Sequence, residues 1–519
     1  MAGRRSASRP PCDIRAVRRR SRERSRERSR QDGAFAIMFV PLLVMVVGFC
    51  GLALDMGQIY NRQVDMHGLA KAVALAAARE LDGTAEGVLE ARAKAREVAG
   101  QLRFHHFGAG ESFTWDEAAL SFGPTSSRSD TWVPASGAEI GTTARTLFFA
   151  RVETARLGRA ASAVSTPFID FFVPDRHRLM VSEDVIAGRT SVRVTPIAIC
   201  AMSPDAATGR TVGGAGSTVK ELVQHGFRRG VSYDLMKLNP HGTSPRRFVI
   251  DPLGDPGAAG GSSSIAATAP FVCSGTMWAR RMAGSTVRVT ALPNTAPLAG
   301  LSAPLNTRFD VYTGTPCNAN GAPPDVNVKP FTYDVDKAVK WISSPTKGSP
   351  AAVSTQEGGK LRTVADLDTA PAAPGDYGPL WAFAKAAIAP ASPGAEEPAE
   401  GYATFAPEDW PTLYPSGPTT TTYPTSDPYI PYFFGTSASG YYTAPRVANR
   451  PVAAPYRRVL NIPLLACTAS DPAGANAEAT VLAIGKFFMT VQATDNTLIA
   501  EFAGLLPRKS VPGQVEIYP

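Results

Sequence analysis

Residues 34–54 read AFAIMFVPLLVMVVGFCGLAL, and this uncharged stretch of twenty-one residues decides the fold class. An α-helix rises 1.5 Å per residue, so the stretch covers roughly 30 Å, the thickness of the hydrocarbon core of a bilayer. Pro41 lies inside it, and membrane helices tolerate proline better than soluble helices do. We therefore predict a single transmembrane helix over residues 33–54, closed by Asp55.

A cleaved signal peptide is the competing interpretation of the same stretch. The apolar core of a signal peptide spans roughly 7–15 residues and ends at a small-residue cleavage site. Here the apolar run is longer, and the sequence continues with a helical pattern instead of such a site. A retained anchor is therefore favoured.

The positive charge of the chain is concentrated before the apolar stretch. The net charge is +8; residues 1–32 hold twelve Arg and four acidic residues, and the remainder holds forty-one residues of each sign. Because Lys and Arg beside a spanning helix stay in the cytoplasm, we predict an inner-membrane protein with a disordered basic cytoplasmic tail over residues 1–32. The bulk of the chain is then periplasmic. The Ser/Arg repeat at 18–30 could bind RNA, but its place beside a membrane segment favours a solvated tail and no nucleic-acid partner.

A helical region is predicted to continue beyond the membrane over residues 55–107. Ala is the best helix former and dominates residues 70–78. Ala70, Ala74 and Ala78 fall on one helical face, where small side chains allow another helix to approach closely. Intramolecular packing and a partner site both fit this stripe. Gly83 is expected to end the helix before a second one begins near residue 85.

The rest of the chain has the texture of a β-rich α+β region over residues 108–400. Aromatic and β-branched runs predict strands, and two shorter runs predict helices. The predicted strands are 143–153, 165–173, 179–187, 190–200, 270–278 and 285–292, and the predicted helices are 335–342 and 380–388. Residues 401–455 form a Tyr/Pro/Thr-rich loop that is either a recognition surface or packed by its own aromatics. Residues 456–519 are predicted to be strands that pack back on this region.

Six cysteines are present, four of them beyond the anchor. Cys200, Cys273, Cys317 and Cys467 suit one or two disulfides in an oxidising compartment, and buried free thiols are the alternative. Residues 195–200 (TPIAIC) resemble residues 462–467 (IPLLAC), which raises the prospect of neighbouring strands bridged by a disulfide between Cys200 and Cys467. No CxxC pair or His at ligand spacing occurs, so no metal site is predicted.

Catalytic motifs are absent from the sequence. There is no HExxH and no G-x-S-x-G elbow, and the Gly-rich run at 213–220 lacks the Lys-Ser or Lys-Thr ending of a phosphate-binding loop. We therefore predict a non-enzymatic protein with no cofactor and no catalytic residues. A membrane-tethered periplasmic enzyme or ligand-binding protein remains the alternative, and a deep polar pocket with convergent titratable residues would favour it.

Residues 31–83 carry a family pattern. It comprises Gly33-Ala34, the Gly-Leu-Ala-Leu-Asp ending at 51–55, Tyr-Asn-Arg at 60–62 and an Ala-rich helix closing in Ala-Ala-Ala-Arg-Glu-Leu at 76–81. This pattern resembles the N-terminus of TadG-like proteins of the Tad/Flp pilus-assembly family. The match covers about fifty residues, with weaker echoes at 181–188, 298–310 and 485–488.

The resemblance implies an inner-membrane accessory component of a machine that assembles an adhesive, type IV-like pilus. Its partners would be other pilus-assembly proteins or pseudopilins. Related pseudopilins are cleaved after a Gly that has Glu five residues later; Met38 stands five residues after Gly33, so cleavage is not expected. Some relatives carry a von Willebrand type A domain, but its D-x-S-x-S motif is absent here. A metal-dependent adhesive role is therefore not predicted.

Overall fold

A single long helix, α1 (Ile14–Glu80), is the longest element of the computed structural model. It includes the predicted transmembrane segment and continues well past Asp55, as expected. It also begins at Ile14, inside the tail predicted to be disordered. Arg and Glu are both strong helix formers, so the Arg/Glu-rich repeat continues the helix backwards instead of ending it.

The structure describes residues 14–101, 114–139, 141–144, 147–173, 178–212, 219–252, 264–277, 284–331, 354–357, 359–363, 385–392, 397–398, 401–406, 409, 413, 442–507 and 513–518. The predicted helix at 335–342 and most of the Tyr/Pro/Thr-rich loop lie outside these residues. The further helices are short: α2 (Ala85–Gln101), α3 (Gly141–Ala144), α4 (Arg159–Ser162), α5 (Pro167–Phe172), α6 (Ile265–Ser274) and α7 (Ser302–Asn306).

Nineteen strands are described. They are β1 (Leu120–Gly123), β2 (Val133–Pro134), β3 (Phe149–Glu153), β4 (Ala163–Ser165), β5 (Arg178–Met180), β6 (Asp184–Val192), β7 (Ile197–Cys200), β8 (Thr208–Thr211), β9 (Lys220–Gln224), β10 (Phe227–Arg228), β11 (Ser232–Asp234), β12 (Arg247–Ile250), β13 (Thr286–Ala291), β14 (Ser354–Glu357), β15 (Lys360–Thr363), β16 (Val459–Leu465), β17 (Ala477–Met489), β18 (Ile499–Leu505) and β19 (Gly513–Tyr518). With one long helix and a β-rich remainder, the chain is α+β.

Two compact units divide the chain. Unit 1 comprises Met1–Ala74, Arg96–Leu120 and Arg151–Val185, and unit 2 comprises Leu75–Ala95, Ser121–Ala150 and Ile186–Pro519. Within unit 1, β4 and β5 form an antiparallel hairpin, and α5 lies in the connection between them. A five-stranded sheet has the order β19-β6-β3-β1-β2, and smaller sheets pair β10-β9-β8 and β14-β15.

The centre of unit 2 is a closed ring of five strands. β17 pairs with β13, β13 with β12, β12 with β7, β7 with β16, and β16 again with β17. Only the β7–β16 pair is parallel. Alternate side chains of β7 enter two apolar clusters. Ala198 and Cys200 lie inside the ring with Phe248 and Val289. Ile197 and Ile199 are buried in a second cluster on the outer side of the ring. β18 and β11 extend the sheet beyond β17.

Three predicted elements differ in the structure. The strand predicted at 165–173 is wrong, because α5 occupies these residues. The strand predicted at 270–278 is wrong as well: α6 begins where the Ser264 side chain accepts a hydrogen bond from Ala267 N, and it ends at Gly275 in the left-handed conformation. The predicted helix at 380–388 does not include its last residues, since Ala387 forms a bridge with Thr404.

Other strand predictions hold with shifted bounds. Among the described residues of the strand predicted at 143–153, β3 covers Phe149–Glu153, and α3 (Gly141–Ala144) occupies the first two positions. The strand predicted at 285–292 corresponds to β13, and the strands predicted within residues 456–519 include β16 and β17. β16 and β17 pair with β7 and β13, so the C-terminal strands complete the ring.

Candidate functional site

The outer surface of α1 between Ile37 and Leu54 is apolar and exposed. Twelve large apolar side chains in this stretch are 47–78% exposed. Among the described residues, α1 is the one helix long and apolar enough to cross a membrane. Contiguous apolar surface of this size is rare on soluble proteins and marks a site of interaction with a membrane or a partner.

One face of the same helix is built differently. Gly48, Gly51 and Asp55 follow one another at intervals of three and four residues, so they share a face. A methyl group at Gly51 would overlap the ring of Phe168, and one at Gly48 would lie 2.7 Å from Cζ of Phe172. Glycine at these two positions therefore lets α5 approach the backbone of α1.

Asp55 ends the apolar stretch and caps α5. Its carboxylate is fully buried, and Oδ2 accepts a hydrogen bond of 2.7 Å from the backbone N of Ile169. Thr166, at the N-cap position of α5, makes no side-chain capping bond to the helix. The backbone N–H groups in the first turn of a helix have no acceptor within that helix. The Asp55 carboxylate, which belongs to α1, accepts a hydrogen bond from one of these groups in α5. Its Oδ1 has no hydrogen-bond partner among the described residues.

Further along α1, polar contacts replace apolar ones. Gln63 Nε2 donates to Glu183 Oε1 at 3.2 Å, and His67 Nδ1 lies 3.2 Å from Glu183 Oε2. Next to Glu183, Asp184 accepts two hydrogen bonds from Arg151, of 2.9 and 2.8 Å. The hydrogen bond with Asp184 raises the pKa of the Arg151 guanidinium. These contacts belong to unit 1.

A fully buried charged side chain in unit 2 is that of Arg458. Its guanidinium donates to the carbonyl oxygens of Asn327, Lys329, Met489 and Thr490 at 2.7–3.0 Å. The rings of Phe309, Phe331 and Phe488 lie 4.4, 5.0 and 4.5 Å from its Cζ. Protein groups fill every direction of the guanidinium, so it serves packing and holds separate segments together.

Two neighbouring arginines are bound in the same manner. Arg308 donates to Val272 O at 2.9 Å, and Arg457 donates to the carbonyl oxygens of Cys273, Ser274 and Pro323. Desolvation lowers the pKa of both guanidinium groups. Carbonyl oxygens and Asp325, whose Oδ2 accepts from Arg458 N at 3.0 Å, offset this cost.

Buried acids in unit 2 are also held by the chain itself. Glu221 accepts from Arg210 and Arg228 at 2.9–3.0 Å. Asp234 Oδ1 accepts from the backbone N of Met236 and of Leu498, while burial raises its pKa. These hydrogen bonds and ion pairs hold the turns and strand ends of unit 2 together.

The cysteines predicted as candidates lie in two disulfides. Cys200 is joined to Cys467 with a Cα separation of 5.5 Å, and Cys273 to Cys317 with 6.4 Å. Leu465 and Cys200 are cross-strand partners in the parallel β16–β7 pair, which places the two similar sequences side by side. Cys50 is a free, exposed thiol within the apolar stretch. No group of three or more His, Cys, Asp or Glu within the described ranges could hold a metal ion.

Two features of the structure are not predicted by the sequence patterns, namely the helix α5 and the role of Arg458. The aromatic run at 165–173 suggested a strand, although Thr166-Pro167 is a signal for a helix start, with proline at the first helical position. The role of Arg458 gave no signal, because its partners are backbone carbonyls from segments distant in sequence.

Comparisons with protein-family models, curated proteins and solved structures give no match for this chain.

Proposed function

We propose that this protein is a membrane-anchored, non-enzymatic assembly or accessory component of a Tad/Flp-type pilus in a bacterial inner membrane. The exposed apolar surface of α1 from Ile37 to Leu54 carries the first half of this proposal. Exposing this apolar surface to water costs about 25 cal/mol of free energy per Å², and a bilayer removes that cost because its core is apolar. The family pattern at residues 31–83 supports the second half.

The orientation follows from charge and is supported by redox chemistry. The twelve Arg of residues 1–32 keep that end in the cytoplasm. The two disulfides lie on the other side of the apolar stretch, and disulfides persist in the oxidising periplasm. Two independent arguments therefore favour the same side for the bulk of the chain.

The mechanism we propose is positional. From Met56 to Glu80 α1 continues beyond the membrane for twenty-five residues, about 37 Å at the rise of an α-helix. Its first turns are held by Glu183 through Gln63 and His67. The protein would present its periplasmic surfaces to pilus components at a fixed place beside the membrane, without a chemical step.

The test is removal of the gene from the source bacterium, with pili counted by electron microscopy. We expect pili to be lost or altered and to return with the wild-type gene. A gene with Leu43→Arg and Val47→Arg should fail to restore them, whereas the matched variant Gln58→Arg and Val64→Arg, on exposed positions past the apolar stretch and outside the residues that match the family pattern, should succeed. Normal pili in the deletion strain, without a second copy of the gene, would contradict the proposal.

A further inference from the structure

The short helix α5 exposes more apolar surface than its length leads one to expect. Phe171 is 75% exposed, Phe172 55%, Val173 51% and Phe168 37%, and no residue of α5 is buried. Elsewhere in unit 1, apolar side chains of the hairpin strand β4 such as Val164 are buried. An aromatic cluster of this kind at the tip of a hairpin is suited to an apolar surrounding.

The contacts of α5 place this cluster at the depth of the apolar stretch. Ile169 is bound to Asp55, just past the end of that stretch, and Phe172 contacts Gly48, six residues before Leu54. Six residues of helix correspond to about 9 Å. The C-terminal end of α5 therefore points along α1 towards the middle of the apolar stretch, away from Asp55.

We propose that α5 is a second membrane contact, in which Phe168, Phe171, Phe172 and Val173 insert among the acyl chains of the leaflet at the Leu54 end of α1. This proposal rests on the membrane anchor proposed above and adds an element to it. A depth of about 9 Å is the depth at which interfacial helices bury their apolar face, at the boundary of headgroups and acyl chains. Asp55 would hold α5 at this depth.

Lipid is the occupant that the geometry favours over a second protein. The exposed surface of α5 is continuous with that of α1, because Phe172 and Phe168 contact α1 within the stretch whose other side chains, such as Val47 and Leu54, are exposed to the same surroundings. A surface continuous with the lipid-facing side of a spanning helix meets lipid at the same depth.

The one charged side chain of α5 is compatible with this placement. Asp170 lies two positions from both Phe168 and Phe172, about 200° around the helix from each. It is half-buried and makes its own contacts within the protein. The carboxylate therefore does not have to enter the acyl region with the phenyl rings.

The test uses the full chain in lipid nanodiscs that hold one copy each. Cys12 and Cys50 are replaced by Ser, the disulfides are kept, and a single Cys carrying an environment-sensitive fluorophore is introduced by Phe171→Cys. Two matched variants, Leu43→Cys within the anchor and Arg156→Cys on an exposed turn of unit 1, serve as references. Quenching is measured with lipids brominated on their acyl chains and with aqueous iodide.

We expect the label at 171 to be quenched by brominated lipid about as strongly as the label at 43, and at least about threefold more than the label at 156. Strong iodide quenching at 171 together with lipid quenching at 43 would overturn the insertion of α5 and leave the anchor intact. Protection of 171 from both quenchers would show a protein cover and would also overturn the proposal. Iodide quenching at 43 would contradict the anchor itself.

A second variant tests the role of Asp55. Asp55→Ala removes the bond to Ile169 N, so we expect lipid quenching at 171 to fall by about half while that at 43 is unchanged. Asp65→Ala, on the same helix, is the control for a general effect of losing a carboxylate. Both disulfides are checked by thiol titration to show that the variants fold. Unchanged quenching at 171 in folded Asp55→Ala protein would show that Asp55 does not hold α5.

Discussion

The apolar stretch of α1 and the ring of five strands place their apolar side chains in opposite directions. Between Ile37 and Leu54 the large side chains point outward and are exposed, whereas inside the ring Phe248, Ile250 and Val289 are buried against one another. The ring supplies its own apolar surrounding by closing on itself. The described part of the chain does not provide such a surrounding for this stretch of the helix, and we propose that a bilayer does. The ring therefore buries its apolar side chains within the protein, whereas the apolar stretch of α1 does not.

Two buried polar side chains, Asp55 in α1 and Arg458 in unit 2, differ in how completely the protein supplies their partners. Asp55 has one carboxylate oxygen bound to α5 and the other without a partner in the described part of the chain. Arg458 is surrounded by backbone carbonyls and three aromatic rings. Asp55 fixes the contact of the short helix α5 with the long helix α1, whereas Arg458 connects segments that are distant in sequence.

The largest expected effect concerns the outward surface. Leu43→Arg with Val47→Arg places two charges in the middle of the apolar stretch, at a cost of about 2.5–3.5 kcal/mol each for membrane insertion. We expect the protein to leave the membrane fraction after an alkaline carbonate wash. Gln58→Arg with Val64→Arg should stay in the pellet, and equal retention of both variants would show that this surface is not the anchor.

In unit 2, Arg458→Met, just before β16, is expected to have the next largest effect. It leaves several buried carbonyl oxygens without a donor, which should destabilise unit 2 by about 3–5 kcal/mol. The change is measured as the loss of hydrogen-exchange protection of amides in β16 and β17. Arg450→Met, at an exposed arginine, is the control and should change protection by less than about 0.5 kcal/mol. Similar protection in both variants would argue against a structural role for Arg458.

The two disulfides should differ in their contribution to the stability of unit 2. Cys200–Cys467 closes a loop of 267 residues and Cys273–Cys317 one of 44. Loop-closure entropy predicts that removing the first by paired Ala substitution costs about 1.5 kcal/mol more than removing the second. Urea unfolding of the two variants, followed by hydrogen exchange of the same strands, measures this difference. The reverse order would show that local packing outweighs chain entropy.

A smaller effect is expected at Lys486 on β17. Burial lowers the pKa of its ammonium group, with Glu397 opposing the shift and Arg229 adding to it. Between the lowered folded pKa and the unfolded value near 10.5 the unfolded chain binds more protons, so the stability of the wild type rises with pH there. Lys486→Met should therefore stabilise unit 2 by about 1 kcal/mol near pH 7 and by less above pH 10.5. Lys220→Met, at an exposed lysine, is the control, and a gain that does not depend on pH would contradict the explanation.

Sequence patterns predicted those features whose causes lie close together in the chain. The apolar stretch of α1 is visible because twenty-one adjacent residues share one property. The strands β13 and β16 follow from alternating or β-branched runs. By contrast, α5 and α6 were predicted as strands because Phe, Ile and Val favour strands on average. Their helical state depends on caps, and for α5 one cap comes from Asp55, which precedes it by more than a hundred residues.

The candidate site was predictable only in part for the same reason. Its extent along α1 follows from composition, but the contact of Gly48 and Gly51 with aromatic rings requires the position of the β4–β5 hairpin. The similar sequences of residues 195–200 and 462–467 did suggest that Cys200 and Cys467 are neighbours. No comparable local signal exists for a guanidinium bound by carbonyl oxygens.

The parallel pairing of β7 with β16 has a consequence for how the chain matures. Cys200 emerges from the ribosome 267 residues before its partner, an interval of roughly 10–50 s at ordinary rates of synthesis. Cys273 and Cys317 are synthesised during that interval. They can form a disulfide with each other, or one of them can form a disulfide with the still unpaired thiol of Cys200. The ring has neither its closing strands nor its covalent link until the last part of the chain is made. Formation of the correct disulfides therefore depends on the order in which the cysteines are synthesised. A disulfide isomerase that breaks a non-native disulfide of Cys200 would shorten the maturation of the protein.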